Sequence, residues 1–442
     1  MLTAFTQAFR TPDLRRKLLF TLFIVAVFRL GFALPTPGIS EKAVNACLNT
    51  VNQNGGQAGL FQLVNLFSGS ALFRLSVFAL GIMPYITASI ILQLLAVVIP
   101  RLEALRQEGQ SGQAKITQYT RYLTVGLAIL QSTGIVALAR SGNLFGSIGG
   151  ATCSSLIPNT SVFTISTMVI CMTAGTAVIM WLGELITDRG VGNGMSIMIF
   201  TQVIAVIPGE MLQIYRTKHA FEFGVVLLVG VGVIAFVAFM EQAQRRIPVQ
   251  YAKRMVGRKM YGGTSTYIPL KVNQAGVIPV IFASSMLYIP QLAAQLFGGA
   301  GGAHPKWWAN WVQAHLIIGD DPYYMLIFFV LIVFFTYFYV SITFNPTEVA
   351  DNMKKYGGFI PGIRPGRPTA EYLDHILTRI TLPGAMFLAA VAILPFIALS
   401  AGNIQQFPFG GTAILITVGV GLETMKQIES QLLMRNYEGF LR

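Results

Sequence analysis

The feature that most constrains this chain is a series of long apolar blocks without any charged side chain. Five such blocks cover residues 76–99, 163–183, 223–240, 276–297 and 323–344. Each is close to the roughly 20 residues that a helix needs to cross about 30 Å of hydrocarbon. Charged residues make up only 11% of the 442, against about 25% in an ordinary soluble domain. Because lipid offers the backbone no hydrogen-bond partners, these blocks are predicted to be helices.

The pattern predicts an all-α, polytopic membrane protein with about ten transmembrane helices. The predicted spans are residues 18–34, 76–99, 122–139, 162–183, 195–213, 223–240, 275–297, 323–344, 380–400 and 410–428. The first is interpreted as a span and not as a cleavable signal peptide. It is long for a signal sequence and is followed by Pro-Thr-Pro-Gly instead of a small-residue cleavage site.

Lysine and arginine concentrate on one side of this predicted topology. The side that carries both termini holds 24 of them, the other side holds 6, and Arg29 lies within the first span. Since cytoplasmic loops carry the excess of Lys and Arg, both termini are predicted to be cytoplasmic, in a multi-pass protein of the plasma membrane. The net charge of +13 then belongs to the cytoplasmic face, and no DNA partner is expected.

Two predicted cytoplasmic loops are larger than a simple connection requires. In loop 241–274, seven basic residues accompany a single acidic one, Glu241. Alternating stretches at 247–251 and 266–270, with Tyr-Gly-Gly between them, predict a protruding β-hairpin. Loop 345–379 contains a Pro/Gly-rich turn that presents Arg364. Basic loops attract anionic lipid, but loops this structured favour docking of a partner protein.

Two segments on the predicted outer side are apolar but too short to span. Residues 60–71 form a helical stretch of about ten residues. An interfacial helix, a helix buried between spans and a re-entrant plug are the alternatives, and periodicity alone favours the first. The second segment, Trp-Trp-Ala-Asn-Trp at 307–311, indicates an aromatic anchor at the membrane surface.

Nothing in the sequence indicates catalysis, a cofactor or a metal. The four histidines are scattered, and there is no Cys-x-x-Cys motif. A bridge between Cys47 and Cys153 is one alternative, since both fall in predicted outer loops, while Cys171 lies within a span. The spans lack the buried carboxylates or histidines of proton-coupled transporters. The chain is therefore predicted not to be an enzyme.

Nine stretches, in order along almost the whole chain, resemble the SecY family. They are PTPGI (35–39), NLFSG (65–69), ALGIMPYITASII (79–91), TQYTRY (117–122), GELITDRGVGNG (183–194), RRIPVQYAKR (245–254), YGGTSTYIPLKVNQAGVIP (261–279), YGGFIPGIRPGRPT (356–369) and ESQLLMRNYEGF (429–440). The resemblance implies a channel that passes unfolded secretory proteins across the membrane and releases hydrophobic segments sideways into lipid. The alternatives are a small-molecule secondary transporter with inverted repeats and a purely structural scaffold subunit.

The resemblance also implies an architecture and a set of partners. Two inverted five-helix halves, residues 18–215 and 216–432, are expected around a central pore, with cytoplasmic segments at 1–17 and 433–442. Inverted repeats are a known membrane architecture. The implied partners are SecE-like and SecG-like small membrane subunits, a SecA-like motor ATPase, the ribosome, unfolded preproteins with their signal sequences, and the lipid bilayer.

Candidate site residues follow from the resemblance position by position. The implied pore ring is Ile82, Ile86, Met195, Ile199, Ile281 and Ile416, with Met195 where the family usually has Ile. The implied plug is the 60–71 stretch, with Leu60, Phe61, Leu63, Val64, Leu66 and Phe67. A lateral gate between spans two and seven is implied at Thr87, Gln93, Gln131, Ser284 and Ser285. Partner docking is implied at Arg258, Lys259 and Arg364.

Each of these assignments has a simpler alternative. The ring residues could equally be ordinary helix packing, and the polar gate residues could be ordinary interhelical hydrogen bonds. Lys259 stands where the family often has Arg, and an ammonium group does not replace a guanidinium at a bidentate site. Arg364 could equally be one more positive charge that sets the membrane topology.

Overall fold

The protein is mostly helical in the part that the computed structural model describes. These residues are 9–40, 42–44, 46, 75–140, 157–159, 161–217, 220–251, 254–256, 259–261, 265–297, 306–316, 321–402 and 411–440. The helices are α1 (Pro12–Ala33), α2 (Met83–Val98), α3 (Pro100–Gln107), α4 (Gln110–Arg140), α5 (Val162–Arg189), α6 (Gly194–Thr217), α7 (Ala220–Gln242), α8 (Ile278–Phe297), α9 (Trp307–His315), α10 (Pro322–Thr343), α11 (Pro346–Lys355), α12 (Arg367–Gly402) and α13 (Gly411–Phe440). The strands are β1 (Gln244–Tyr251), β2 (Arg254–Val256), β3 (Lys259–Tyr261), β4 (Ser265–Lys271) and β5 (Gly358–Phe359).

Every predicted span overlaps one of these helices. By length and apolar composition, four described helices qualify as membrane spans, and the bent pair formed by α2 and α3 makes a fifth. The count of ten stays a prediction. Several helices extend well beyond their apolar part: α4 begins at Gln110 and α12 at Arg367, twelve or more residues before the predicted spans. Hydropathy shows only the apolar part of such helices, so it misses their polar ends.

The second predicted span was placed too early in the chain. Residues 77–82 form turns, and α2 begins only at Met83, followed by Pro84 in its first turn. Leu75 and Gly81 have positive φ angles of 47° and 56°, which a continuous right-handed helix excludes. Ile82 is therefore the N-cap of the helix and not an internal residue.

Helix starts elsewhere follow local capping chemistry. Asp321 accepts a hydrogen bond from the Tyr323 N–H at 3.0 Å and so caps α10. Asn345 accepts hydrogen bonds from the N–H groups of Thr347 and Glu348 and caps α11. In both helices a proline follows the cap, where its missing N–H costs nothing.

The predicted hairpin is confirmed, and it is extended by a strand that the sequence did not predict. Strands β1 and β4 pair antiparallel from Gln244↔Lys271 to Gln250↔Ser265. On the other edge of β1, strand β5 pairs through Gln250↔Phe359 and Tyr251↔Gly358. The two basic loops, distant in sequence, are thus joined in one three-stranded sheet. Its apolar face packs Ile247, Val249 and Leu270 against residues of α11 and α12.

The largest apolar core draws side chains from α1, α2, α5 to α10, α12 and α13. Within it α8 packs against α10 and also touches α2 and α4. Helix α13 packs against α6, α7 and α12. The helices surround a central cavity.

Gly175 is expected to be required for this packing. A Cβ atom at Gly175 would lie 2.1 Å from the carbonyl oxygen of Val77, a contact that could be relieved only by movement of α5 or of the turn that carries Val77. We expect Gly175→Ala to lower stability by about 1–3 kcal/mol, as overpacking of a tight interface does. Thermal unfolding of the detergent-solubilised protein measures this effect.

Gly126 provides the matched control. A Cβ atom there meets nothing within 4 Å, and Ala is the better helix former. Gly126→Ala should therefore leave the melting temperature unchanged or raise it. An equal fall in both variants would contradict the packing argument.

Candidate functional site

A cavity of about 870 Å³ lies among the helices, lined by residues of α2, α4 to α8, α10, α13 and the turn before α8. One set of lining residues, the apolar wall, is Ile86, Met195, Ile199, Ile281 and Ile416. A second set, the charged wall, is Arg121, Glu184, Asp188, Glu241, Lys271, Glu423 and Lys426. Ile416 and Lys426 are ten residues apart on α13, which corresponds to about 15 Å along a helix. The cavity therefore has an apolar region and a separate charged region.

Five of the six predicted ring residues form the apolar wall, contributed by α2, α6, α8 and α13. Ile82 is the exception: it is 1% exposed and is not among the residues that line the cavity. Met195 is half-buried. Its sulfur packs so closely against Gly183 that a Cβ atom on Gly183 would clash with it. The structure brings these side chains together, while their action as a pore constriction stays a prediction.

An ion pair that the sequence did not predict crosses the charged wall. Arg121 of α4 donates from Nε and Nη2 to the two carboxylate oxygens of Glu184 in α5, both at 2.8 Å. Such bidentate pairs are stronger and more directional than single contacts. The partners belong to the TQYTRY and GELITDRG stretches, 63 residues apart. In the sequence, each residue is recognisable only as a charged residue beside an apolar block. No local sequence pattern indicates that the two residues form an ion pair.

The predicted gate residues lie on α2, α4 and α8, but their hydrogen bonds stay within single helices. The Thr87 hydroxyl donates to the Met83 carbonyl at 3.0 Å, and the Ser284 hydroxyl donates to that of Ile281 at 2.9 Å. Gln93 reaches Ser89 of its own helix at 3.4 Å. The Ser285 hydroxyl is buried and has no hydrogen-bond partner among the described residues. The alternative of ordinary hydrogen bonds between helices is therefore not what the structure shows for Thr87, Gln93 and Ser284. The position of the gate, including half-buried Gln131, stays a prediction.

The docking residues are only partly within the described chain. Arg258 lies outside the described residues, and Lys259 begins β3, although its side chain is not among those described. Arg364 is exposed, and its carbonyl accepts a hydrogen bond from the Thr369 hydroxyl at 2.9 Å. The turn before it is anchored by Ile360, which is 3% exposed.

Other predictions fall outside the described residues. These include the plug residues Leu60, Phe61, Leu63, Val64, Leu66 and Phe67, together with Cys47 and Cys153. The aromatic segment at 307–311 forms the start of α9, where Trp307 is 82% exposed. Among the described residues, no group of His, Cys, Asp and Glu could hold a metal ion.

Comparison with known proteins identifies the family. The SecY family model matches residues 76–425. The chain is 65% identical to the protein translocase subunit SecY of Streptomyces galbus and 58% identical to that of Mycobacterium leprae, each over the full length of both chains. The chain belongs to the SecY family. Its sequence-based assignment to that family is confirmed.

Two solved structures have the same fold. A structure described as a protein conducting channel superposes with a TM-score of 0.63 at 18% identity, covering 94% of this chain and 91% of the other. Sec61 in the canine ribosome-channel complex gives 0.59 at 16% identity, with the same coverage. The predicted all-α membrane fold of this SecY-family chain is thereby confirmed.

Proposed function

We propose that this chain is the central channel subunit of a protein translocase. It conducts unfolded secretory proteins across the plasma membrane and releases hydrophobic segments sideways into the bilayer. One observation carries the proposal: a SecY-family chain brings five of six ring positions together on a single central cavity that also has a charged wall. The comparisons give no support to a small-molecule transporter, and protein conduction requires no catalytic residue in the channel.

The physical role of the apolar wall is to hold water out of the closed channel. A constriction of branched apolar side chains is costly to wet, so it blocks ions. The same side chains offer a passing polypeptide no charge and no hydrogen bond, so they do not select among sequences. The charged wall contains both acidic and basic side chains. Neither the acidic nor the basic residues of a passing chain are therefore bound strongly there.

The basic hairpin and the Arg364 turn are proposed to face the cytoplasm, together with both termini. The three-stranded sheet supports this by joining the loop that carries Arg245 and Arg246 to the loop that carries Arg364. A cysteine at Tyr267, which is 48% exposed on β4, should react with a membrane-impermeant maleimide only in inverted vesicles. Reaction only in right-side-out cells would contradict this orientation.

The two halves, residues 18–215 and 216–432, are proposed to open along a lateral gate between α2 and α8. The contact of α8 with both α2 and α4 supports this placement. Hydrogen bonds that remain within each helix leave the gate surfaces free to separate, because no interhelical bond of Thr87, Gln93 or Ser284 has to break.

The plug is proposed to seal the outer side of the channel, and tethering it should block export. A disulfide between Phe67→Cys and Ile281→Cys is expected to abolish translocation, because a chain cannot pass unless the plug leaves. Protease protection of a preprotein in vesicles measures the effect. The same variant under reducing conditions is the control and should translocate. Full activity of the oxidised, crosslinked protein would contradict the plug assignment.

The partners proposed are small SecE-like and SecG-like membrane subunits, a SecA-like ATPase and the ribosome. Arg258, Lys259 and Arg364 are the proposed contacts of the ATPase and the ribosome, and the exposure of Arg364 supports its part. Purification of the tagged chain from native membranes identifies which of these proteins bind it.

Reconstitution tests the proposed function as a whole. Proteoliposomes that contain the chain, the small subunits and the ATPase should protect an unfolded preprotein from external protease in an ATP-dependent manner. Proteoliposomes without the chain provide the control. Solute uptake by the chain alone, without preprotein translocation by the complete system, would instead favour a transporter.

A further inference from the structure

A six-residue turn, residues 272–277, connects the basic hairpin directly to α8. Strand β4 ends at Lys271 and α8 begins at Ile278. The Val272 N–H donates to the Ala243 carbonyl at 3.0 Å and so extends the ladder beyond the Gln244↔Lys271 pair. The turn also lines the central cavity, and Ile281 of the apolar wall follows in the first turn of α8.

A buried polar link closes the base of the hairpin. Asn273, 3% exposed, donates from Nδ2 to the carboxylate of Glu241, which is 8% exposed near the end of α7. The same Nδ2 also donates to the Gly276 carbonyl at 3.2 Å. Hydrogen bonds to a charged group are among the stronger ones in proteins. One side chain thus joins the end of α7 to the turn that leads into α8.

The turn is also held from outside by close packing. A Cβ atom at Gly384 of α12 would lie 2.4 Å from the Val272 carbonyl oxygen. A Cβ atom at Gly419 of α13 would lie 2.8 Å from the Val277 side chain. Gly276 has a φ of +62° with open space around it, a conformation that side chains disfavour. The close packing at Val272 and Val277 limits movement at both ends of the turn, so we expect a displacement of the hairpin to reach α8.

The turn retains polar groups that packing alone does not explain. Within the described part of the chain, the Asn273 Oδ1 and Gln274 Oε1 atoms are buried and have no hydrogen-bond partner. Such groups reduce stability, and apolar side chains would fill the same space without that cost. The hydrogen bond to Glu241 requires a polar side chain at Asn273.

We propose that Asn273 and Glu241 are positioning residues that transmit movement of the partner-docking hairpin to the gate helix α8. This inference rests on the proposed function, because it assumes that a partner docks on the hairpin and that α8 forms one side of the gate. Through this link, docking of the ATPase shifts the start of α8 and separates it from α2.

The decisive variant replaces both partners of the link by apolar side chains, as Glu241→Leu with Asn273→Leu. Removing both polar groups leaves no unpaired buried charge, although the Gly276 carbonyl loses a hydrogen bond, so the melting temperature should fall only slightly. The translocation rate should nevertheless fall roughly tenfold, the scale of a typical coupling between sites. The ATPase concentration at half-maximal rate should stay unchanged, since the docking surface is intact.

Spin labels on both sides of the gate give a readout that a merely structural link would not change. The labels are attached at Leu95→Cys of α2 and Met286→Cys of α8, both exposed, in a background without native cysteines. They should move apart when the SecA-like ATPase binds. We expect this distance change to be lost in the double leucine variant. The conservative Glu241→Gln, which still accepts the Asn273 hydrogen bond, should keep it.

A second pair of variants applies if the double leucine protein does not fold. Asn273→Ser is too short to reach Glu241 and should lose the distance change, whereas Gln274→Ser, its neighbour in the same turn, should keep it. Parental translocation with an unchanged distance shift in the Asn273 variants would overturn this inference alone. Absence of preprotein translocation by the parental protein would overturn the proposed function itself.

Discussion

Ile86→Gly and Ile199→Gly are expected to make the membrane leaky to small ions while leaving the protein inserted. Both side chains lie on the apolar wall and are less than 10% exposed. Removing either one widens the constriction and lowers the cost of wetting it, so we expect closed-state conductance to rise roughly tenfold or more. Single-channel recording in planar bilayers measures it.

A glycine also destabilises the helix that contains it, so a control must separate this effect from the widening of the constriction. Gly is about 1 kcal/mol less favourable than Ala within a helix. Ile204→Gly places the same change on α6, at a residue that is 38% exposed and absent from the cavity lining. This control should not conduct ions. Equal conductance in the Ile199 and Ile204 variants, or no rise in either wall variant, would contradict the ring assignment.

Arg364→Glu is expected to reduce ATPase-driven translocation by roughly tenfold or more, as reversal of a docking charge does. The structure supports this, because the turn that carries Arg364 is rigid. Pro361 and Pro365 restrict the backbone on either side, and Ile360 anchors the turn in the core beneath the sheet. Little conformational freedom is then lost on docking. Expression and membrane insertion should remain normal.

Arg364→Lys distinguishes bidentate docking from simple charge. A guanidinium forms two parallel hydrogen bonds with a carboxylate or phosphate, which an ammonium group does not. We therefore expect Arg364→Lys to slow translocation as well, by roughly fivefold. The control is Arg367→Lys, since Arg367 is exposed and, among the described residues, pairs with Glu371 of its own helix at 3.0 Å. Normal translocation by Arg364→Lys at a saturating ATPase concentration would show that charge alone matters.

The sequence was sufficient for the features that depend on local patterns. Apolar blocks located the membrane helices, and alternation at 247–251 and 266–270 located the two main strands of the hairpin. Proline and glycine in the 361–366 segment predicted a turn that exposes Arg364, as found. In each case the signal is contained within a few neighbouring residues.

The features that were missed depend on residues far apart in the chain. The pairing of β5 with β1 joins segments more than 100 residues apart, and two residues are too few to form a strand pattern. The Arg121–Glu184 and Glu241–Asn273 contacts also join distant segments, and a polar residue beside a span resembles any other helix end. The ring residues show no pattern that separates them from ordinary packing, so only the family resemblance located them.

The most direct test of the central claim is crosslinking to a preprotein halted during translocation. A photoreactive side chain at Ile199 or Ile281, on the apolar wall, should crosslink to the halted chain. The same probe at Ile204 or Val330, both exposed on the outside of the described helices, should not. This result would establish the cavity as the path of the polypeptide. Crosslinks at the outer positions, with none at Ile199 and Ile281, would contradict the account.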